Sequence, residues 1–301
     1  MTFTISAPPH RKSGKPVKNL MWAKALALVP VSLLSIYFFG LPALGILVAG
    51  VLSAVATEFV IQKAFNQKLT IGDGHVVFIG LLLSLLIPPE APIWIPIIGS
   101  AFAVSIGKHA FGGIGSYVFN PVLVAWVFLT LAWTSLMTPV SVPQLGSLSN
   151  LLIENGAGFL VGVSPIALLT GVLLIVARYM EWRVPVAYFV TTILLALILG
   201  DSLSFVITGV FLLGVLFIAT DSATSPVTKS GRVIYGVLCG VLTVVYGYFG
   251  DYVYGTLYGI FLANCVASFI DNSTLPKPYG SETRMQRIMK RVPFLDRFLE
   301  V

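Results

Sequence analysis

Charge is what this chain has least of. Asp, Glu, Lys and Arg together make up 10% of its 301 residues, against about 25% in an average soluble domain, while 57% of the residues are hydrophobic. A soluble fold of this length has no interior large enough to hide that much apolar surface, so composition points to an integral membrane protein. Cysteine is nearly absent too. Cys239 and Cys265 stand in the middle of separate apolar segments, which leaves no CxxC pair, disulfide framework or thiolate cluster. His10, His75 and His109 are scattered, so the chain supplies no metal-centred redox group. A small-residue cleavage site is also missing: the first nineteen residues are polar and basic, and the span-length apolar run after them is expected to stay in place as a first span.

What is present is a series of ten apolar segments, at roughly 20–38, 41–61, 76–87, 93–106, 118–136, 159–177, 184–199, 205–219, 233–248 and 252–270. Threaded with the N-terminus inside, they put all eighteen Lys and Arg residues on one side, and the outer connections keep the acids Glu90, Glu154, Asp201 and Asp251. The positive-inside rule then predicts a multi-pass protein of the plasma (inner) membrane with both termini cytoplasmic. The net charge of +6 follows from topology, and nucleic acid is not expected as a partner.

Five segments precede the outer connection at 137–158 and five follow it, and similar halves with an odd number of spans sit upside down to each other. The expected organisation is a cytoplasmic tail at 1–19, a first five-segment repeat at 20–136, the outer loop at 137–158, a second repeat at 159–271 and a cytoplasmic tail at 272–301. The third segment reaches only about 18 Å at 1.5 Å per residue, too short for a hydrocarbon core of about 30 Å. It reads as a half-helix stopped by Pro88-Pro89-Glu90-Ala91-Pro92, because proline cannot continue a helix. With Gly209 set on Gly80, the eighth segment stops correspondingly at Thr220-Asp221-Ser222-Ala223-Thr224-Ser225-Pro226, and Asn120 in the fifth is matched by Asn264 in the tenth. The predicted fold is therefore all-α and polytopic, with about ten transmembrane segments in two inverted five-segment repeats and with broken or half helices. Broken backbone at membrane depth must face protein or a water-filled cavity, so the breaks mark where polar cargo passes. The tail at 281–301 reads as an amphipathic basic helix interrupted near Pro293, either lying on inner-leaflet lipid or docking a cytoplasmic subunit.

Asp221 is the most informative ionisable residue, ending a span at a helix break beside Thr220, Thr224 and Ser225. A carboxylate with hydroxyls and free carbonyls suits Na⁺, and a lone carboxyl can carry H⁺; Asp221 or Ser222 capping a short turn into the ninth span explains the same residues equally well. Glu58 reads as an interfacial acid opposite Lys63, and Asp73 as a cap of the third segment. The glycine-dense inner loop from Gly107 to Gly115 carries Lys108, and its free backbone N–H groups could cradle an anionic or carbonyl-bearing ring such as a flavin or quinone, though glycine also serves tight turns and close helix approach.

Several stretches in order, namely Ser6-Ala7-Pro8-Pro9-His10, Asp73-Gly74, Leu86-Ile87-Pro88-Pro89, Ile106-Gly107-Lys108-His109-Ala110-Phe111-Gly112-Gly113, Phe119-Asn120-Pro121, Glu181-Trp182-Arg183-Val184-Pro185 and Phe217-Ile218-Ala219-Thr220-Asp221 with Gly231-Arg232, resemble the RnfD/NqrB membrane subunits, and the short N-terminal tail is closer to RnfD. The resemblance implies a membrane subunit of a redox-driven Na⁺ or H⁺ pump, not catalytic alone but part of an ion-translocating oxidoreductase. It also implies two inverted five-helix repeats like those of urea and ammonium channels, and partner subunits that carry iron–sulfur clusters and FMN. The family's covalent FMN sits on the last Thr of a Ser-Gly-Ala-Thr-like motif in the outer loop. Here that loop reads Thr138-Pro139-Val140-Ser141-Val142-Pro143-Gln144-Leu145-Gly146-Ser147, without the motif, so covalent FMN is not expected in this chain. A noncovalent riboflavin or quinone is expected near Asn120, Gly107, Lys108, Gly112 and Gly113, which match the family's inner-side site, and the ion path near Asp221, Thr220, Thr224 and Ser225. The alternatives are a small-solute channel of urea-transporter-like fold without a redox role, and a purely structural subunit that clamps its partners.

Overall fold

The computed structural model describes residues 16–138, 159–161, 164–201 and 203–275. Among these, the regular structure is helical throughout. Each of the ten apolar segments holds one principal helix: α1 Val17–Phe39, α2 Leu41–Ala64, α3 His75–Leu85, α4 Trp94–Phe102 running on as a π turn Ala103–Lys108, α5 Pro121–Ala132 followed by a short helical turn Thr134–Met137, α6 Ser164–Val176, α7 Arg183–Leu199, α8 Gly209–Leu213 running on as a π turn Gly214–Ile218, α9 Lys229–Phe249 and α10 Tyr252–Thr274. Helices α1, α2, α9 and α10 are each long and apolar enough to cross a membrane. The 11 residues of α3 reach only about 16 Å. It is the half-helix expected there, beginning and ending slightly earlier than 76–87.

Local chemistry sets the helix ends. The Asn120 side chain accepts from the Val122 N–H at 3.0 Å and Pro121 fills the first helical position, so the Asn-Pro pair starts α5. Thr228 caps α9 through the Gly231 N–H at 3.1 Å, and Asp251 caps α10 through the Val253 N–H at 2.7 Å. The broken end of α3 is completed by distant parts of the chain. Its carbonyls at Leu85 and Ile87 accept from the backbone N–H groups of Val161 (3.0 Å) and Leu160 (3.2 Å), and that of Leu86 accepts from the Trp126 indole at 3.2 Å. The Leu160 carbonyl in turn accepts from Ser35 at 2.6 Å. The three carbonyls leading into the proline-rich break are thus paired inside the protein, as a break away from water requires.

Four helix pairings are shared by the two halves. Helix α1 lies on α3 as α6 lies on α8, α2 on α4 as α7 on α9, α4 on α5 as α9 on α10, and α3 on α5 as α8 on α10; α1 also meets α6, and α5 meets α10. One end of the bundle carries Lys24, Lys108, Arg183 and Arg232 in contact with its acids. At the other, Trp94 packs on Trp133 and the Tyr252 hydroxyl donates to Asp201.

The expected inner loop at 107–115 differs in its first part: the chain stays wound as the π turn through Lys108 and a 3-10 turn His109–Phe111. Close packing explains this, since a Cβ on Gly107 would stand 2.7 Å from the Pro121 Cα. Residues 139–158 of the outer loop and the amphipathic tail at 281–301 lie outside the described residues.

Candidate functional site

The site is built at the basic end from α1, α2, α3, the end of α4 and the end of α8. Past the π turn of α8 the Asp221 N–H bonds to the Ile218 carbonyl at 3.1 Å, and its own carbonyl accepts from Thr224 (3.3 Å) and Ser225 (2.9 Å). This single turn fixes the Asp221 side chain inward, 2% exposed. One carboxylate oxygen faces the Lys24 ammonium at 3.4 Å, and the other accepts from the Tyr117 hydroxyl at 3.1 Å. The Tyr117 oxygen also lies 3.2 Å from Nε2 of His75, whose ring stacks on it. Lys24 is itself buried and sits over the Phe78 ring. Burial, seconded by the Asp221 charge, pushes the Tyr117 phenol in the loop before α5 well above its usual range, so Tyr117 serves as a neutral donor.

Asp221 does not cap α9, and neither does Ser222, because Thr228 holds that position. The cap is reinforced by the Asp271 carboxylate, which accepts from the Val227 and Thr228 N–H groups. Of the hydroxyls near Asp221, Thr220 donates back to the Leu216 carbonyl, whereas the Thr224 hydroxyl is buried without a hydrogen-bond partner among the described residues. Ser225 is also buried, on the same turn.

A second buried carboxylate was not anticipated. Glu58 lies fully buried in α2 rather than opposite Lys63. It accepts from Lys108 Nζ at 2.6 Å, lies 2.7 Å from His109 Nε2, and accepts from Gln62 at 2.6 Å and Thr70 at 3.2 Å. The available signal was an acid inside an apolar segment with Gln62 one turn on; its cationic partner was hidden in a stretch that reads as loop. Asp73 makes no cap bond to α3, and the Trp22 indole instead ties the neighbouring Gly72 carbonyl to α1 at 3.0 Å.

The residues expected around a flavin or quinone meet at the α4–α5 junction. Asn120 caps α5, Gly107 lets α4 touch Pro121, and Lys108 is committed to Glu58. Gly112 and Gly113 both take φ 100°, a left-handed conformation that suits glycine, and beside Gly113 there is open space.

Residues 4–280 match the NQR2, RnfD, RnfE family. The chain is 59% identical, over 93% of its length and 98% of the relative's, to the D-type subunit of the ion-translocating oxidoreductase complex of Methanosarcina acetivorans. It is 34% identical to the corresponding subunit of the Na(+)-translocating ferredoxin:NAD(+) oxidoreductase complex of Acetobacterium woodii, and 33% identical to that of the proton-translocating ferredoxin:NAD(+) oxidoreductase complex of Clostridium ljungdahlii; each match covers 93% of this chain and 96% of the relative.

Proposed function

The chain belongs to the NQR2, RnfD, RnfE family, and from that premise we propose that Asp221, at its contact with Lys24, is where the transported cation acts. The chain is a membrane subunit of an Rnf-type redox-driven ion pump, works inside an ion-translocating oxidoreductase complex, and has other Rnf-type subunits as partners. A passive solute channel is the less favoured reading. Identity to the sodium-named and proton-named relatives is nearly equal, so the cation is Na⁺ or H⁺.

The observation that carries the reading is the difference between the two buried carboxylates. Lys108 holds Glu58 at 2.6 Å, with three further groups around it, whereas Lys24 stands 3.4 Å from Asp221. Attraction in a low-dielectric interior falls with distance, and the longer ion pair gives up less when its ammonium leaves. Asp221 is therefore the exchangeable carboxylate and Glu58 the fixed one. A cation or proton reaching Asp221 replaces the charge of Lys24, with Tyr117 still donating to the second oxygen. Thr224 offers an unused hydroxyl one turn away, and Thr220 and Ser225 complete the path. Two inverted halves, 20–136 and 159–271, frame this path, with both termini cytoplasmic.

The outer loop has no Ser-Gly-Ala-Thr motif, which argues against covalent FMN here; FMN and iron–sulfur clusters belong to partner subunits in this reading. For a noncovalent riboflavin or quinone, the chain offers the Asn120 amide and the open turn at Gly112 and Gly113, with Gly107 buried behind them. Lys108 is bound to Glu58 and is not available to it.

The test is Asp221→Asn against Asp221→Glu, read as ferredoxin-driven cation uptake into inverted vesicles across a cation titration. At equal complex abundance Asn should lose most of the cation stimulation, and Glu should keep part of it. Unchanged cation dependence in the Asn variant would reduce Asp221 to a structural partner of Lys24.

A further inference from the structure

A cavity of about 530 Å³ opens at the basic end, between α1, the turn joining α6 to α7, the break after α8, and α9. Its walls are amphipathic. Among the described residues, Lys24, Arg178, Arg183 and Arg232 line it together with one acid, Glu181. Some of this charge is already answered: Arg183 and Arg232 share the Glu181 carboxylate, Arg232 at 3.0 Å, and Lys24 pairs with Asp221 outside the cavity. Among the described residues that line the cavity, four cations stand beside one carboxylate.

The shape of the wall narrows the ligand class. The Arg232 guanidinium is held in place by a bond to the Pro226 carbonyl at 2.9 Å. Arg178 is one of two non-glycine residues at positive φ among those described, at 57°, a conformation uncommon outside glycine. The first turn of the 17-residue helix α7 also faces the cavity through Arg183 and Val184, and its cap residue Trp182 makes no side-chain cap bond. Guanidinium forks beside backbone N–H groups suit a tetrahedral oxyanion. Leu20 and Ile175 add apolar contact to the lining.

We propose that this cavity binds a phosphate-bearing anion at the basic face of the subunit. The phosphate is either the headgroup of an anionic lipid or a soluble phosphate, and the chemistry recognised is the same. The cavity shares Lys24, Thr220 and Ser225 with the proposed path at Asp221, but it takes an anion where Asp221 takes a cation, and the two are tested by different readouts.

The experiment uses the purified, delipidated complex in zwitterionic detergent and measures saturable binding of radiolabelled short-chain phosphatidylglycerol, phosphatidylcholine and inorganic phosphate. The comparison variants are Arg178→Gln with Arg232→Gln, and Ser222→Glu. Ser222 lines the cavity and is exposed, so the glutamate adds a repelling charge without removing a packed group. Saturable binding of phosphatidylglycerol, weakened at least about tenfold by Ser222→Glu, supports the proposal. Competition by inorganic phosphate assigns it to any phosphate, and lack of competition assigns it to the lipid headgroup. Should neither anion bind saturably, or should phosphatidylglycerol bind the Ser222→Glu complex as tightly as the wild type, the proposal is overturned.

Discussion

Glu58 and Lys108 show at the scale of single residues what a buried charge demands. Removing one partner of a buried ion pair leaves an uncompensated charge and costs about 3–5 kcal/mol, whereas replacing both with apolar groups of similar volume is often neutral. The cost should be unequal here, because His109 also stands 2.7 Å from Glu58. After Lys108→Met, His109 still faces the carboxylate at 2.7 Å and leaves it a ring-nitrogen partner. After Glu58→Gln, Lys108 is left buried without its carboxylate partner. We therefore expect Glu58→Gln to lower the thermal inactivation midpoint and membrane abundance of the complex more than Lys108→Met, and Glu58→Leu with Lys108→Met to recover most of the loss. Equal losses in the two single variants would remove His109 from the account. Asp221 was legible in the sequence because it ends an apolar run at an evident break. Its partners were not, since nothing in the spacing of Lys24 or Tyr117 tells which carboxylate they meet across the fold.

At the scale of elements, the breaks explain more than the spans do. Pro88 and Pro92 announced the end of α3 plainly, as the polar run from Thr220 announced the end of α8. What completes the broken ends was hidden. Leu160 and Val161 serve α3 through backbone N–H groups, and a backbone donor leaves no mark on residue type. The π turns that end α4 and α8 were equally silent, although they deliver Lys108 and Asp221 to the same end of the bundle. The completion can be tested at two depths. Trp126→Phe removes the donor to the Leu86 carbonyl and keeps most of the ring, so it should cost about 1–3 kcal/mol, the penalty of one unsatisfied buried group. Gly209→Ala should cost more, because the new Cβ would overlap the Val161 carbonyl and push away the stretch that pairs with α3. Detergent-phase thermal unfolding and limited proteolysis should rank the alanine variant as clearly the less stable; the reverse order would mean that residues 159–161 shift without loss.

The whole molecule was legible in outline because lipid restricts the choices: only helices satisfy their own backbone, and charge asymmetry orients them. All ten apolar segments return as helices, and four of the helix pairings among α1 to α5 recur among α6 to α10. That recurrence was harder to see in the residues. Gly80 and Gly209, aligned in the sequence, make different contacts: Gly80 lies against α2, and Gly209 against Val161. Helix pairings that recur need not be kept by the same side-chain contacts. Orientation is the remaining property of the whole. Lys24, Lys108, Arg183, Lys229 and Arg232 belong to one end, with Glu90, Asp201 and Asp251 at the other, and positive charge is retained on the cytoplasmic side. In a chain with Cys239→Ala and Cys265→Ser, a single cysteine is placed at exposed Ser230 on the basic end or at exposed Glu90 on the other. A membrane-impermeant maleimide should label Glu90→Cys in intact cells and Ser230→Cys only in inverted vesicles. Because a helix bundle of this connectivity inverts as a unit, labelling of Ser230→Cys from outside the cell would reverse every side assigned here, and would place Asp221 and the arginine-lined cavity at the face where the ion leaves.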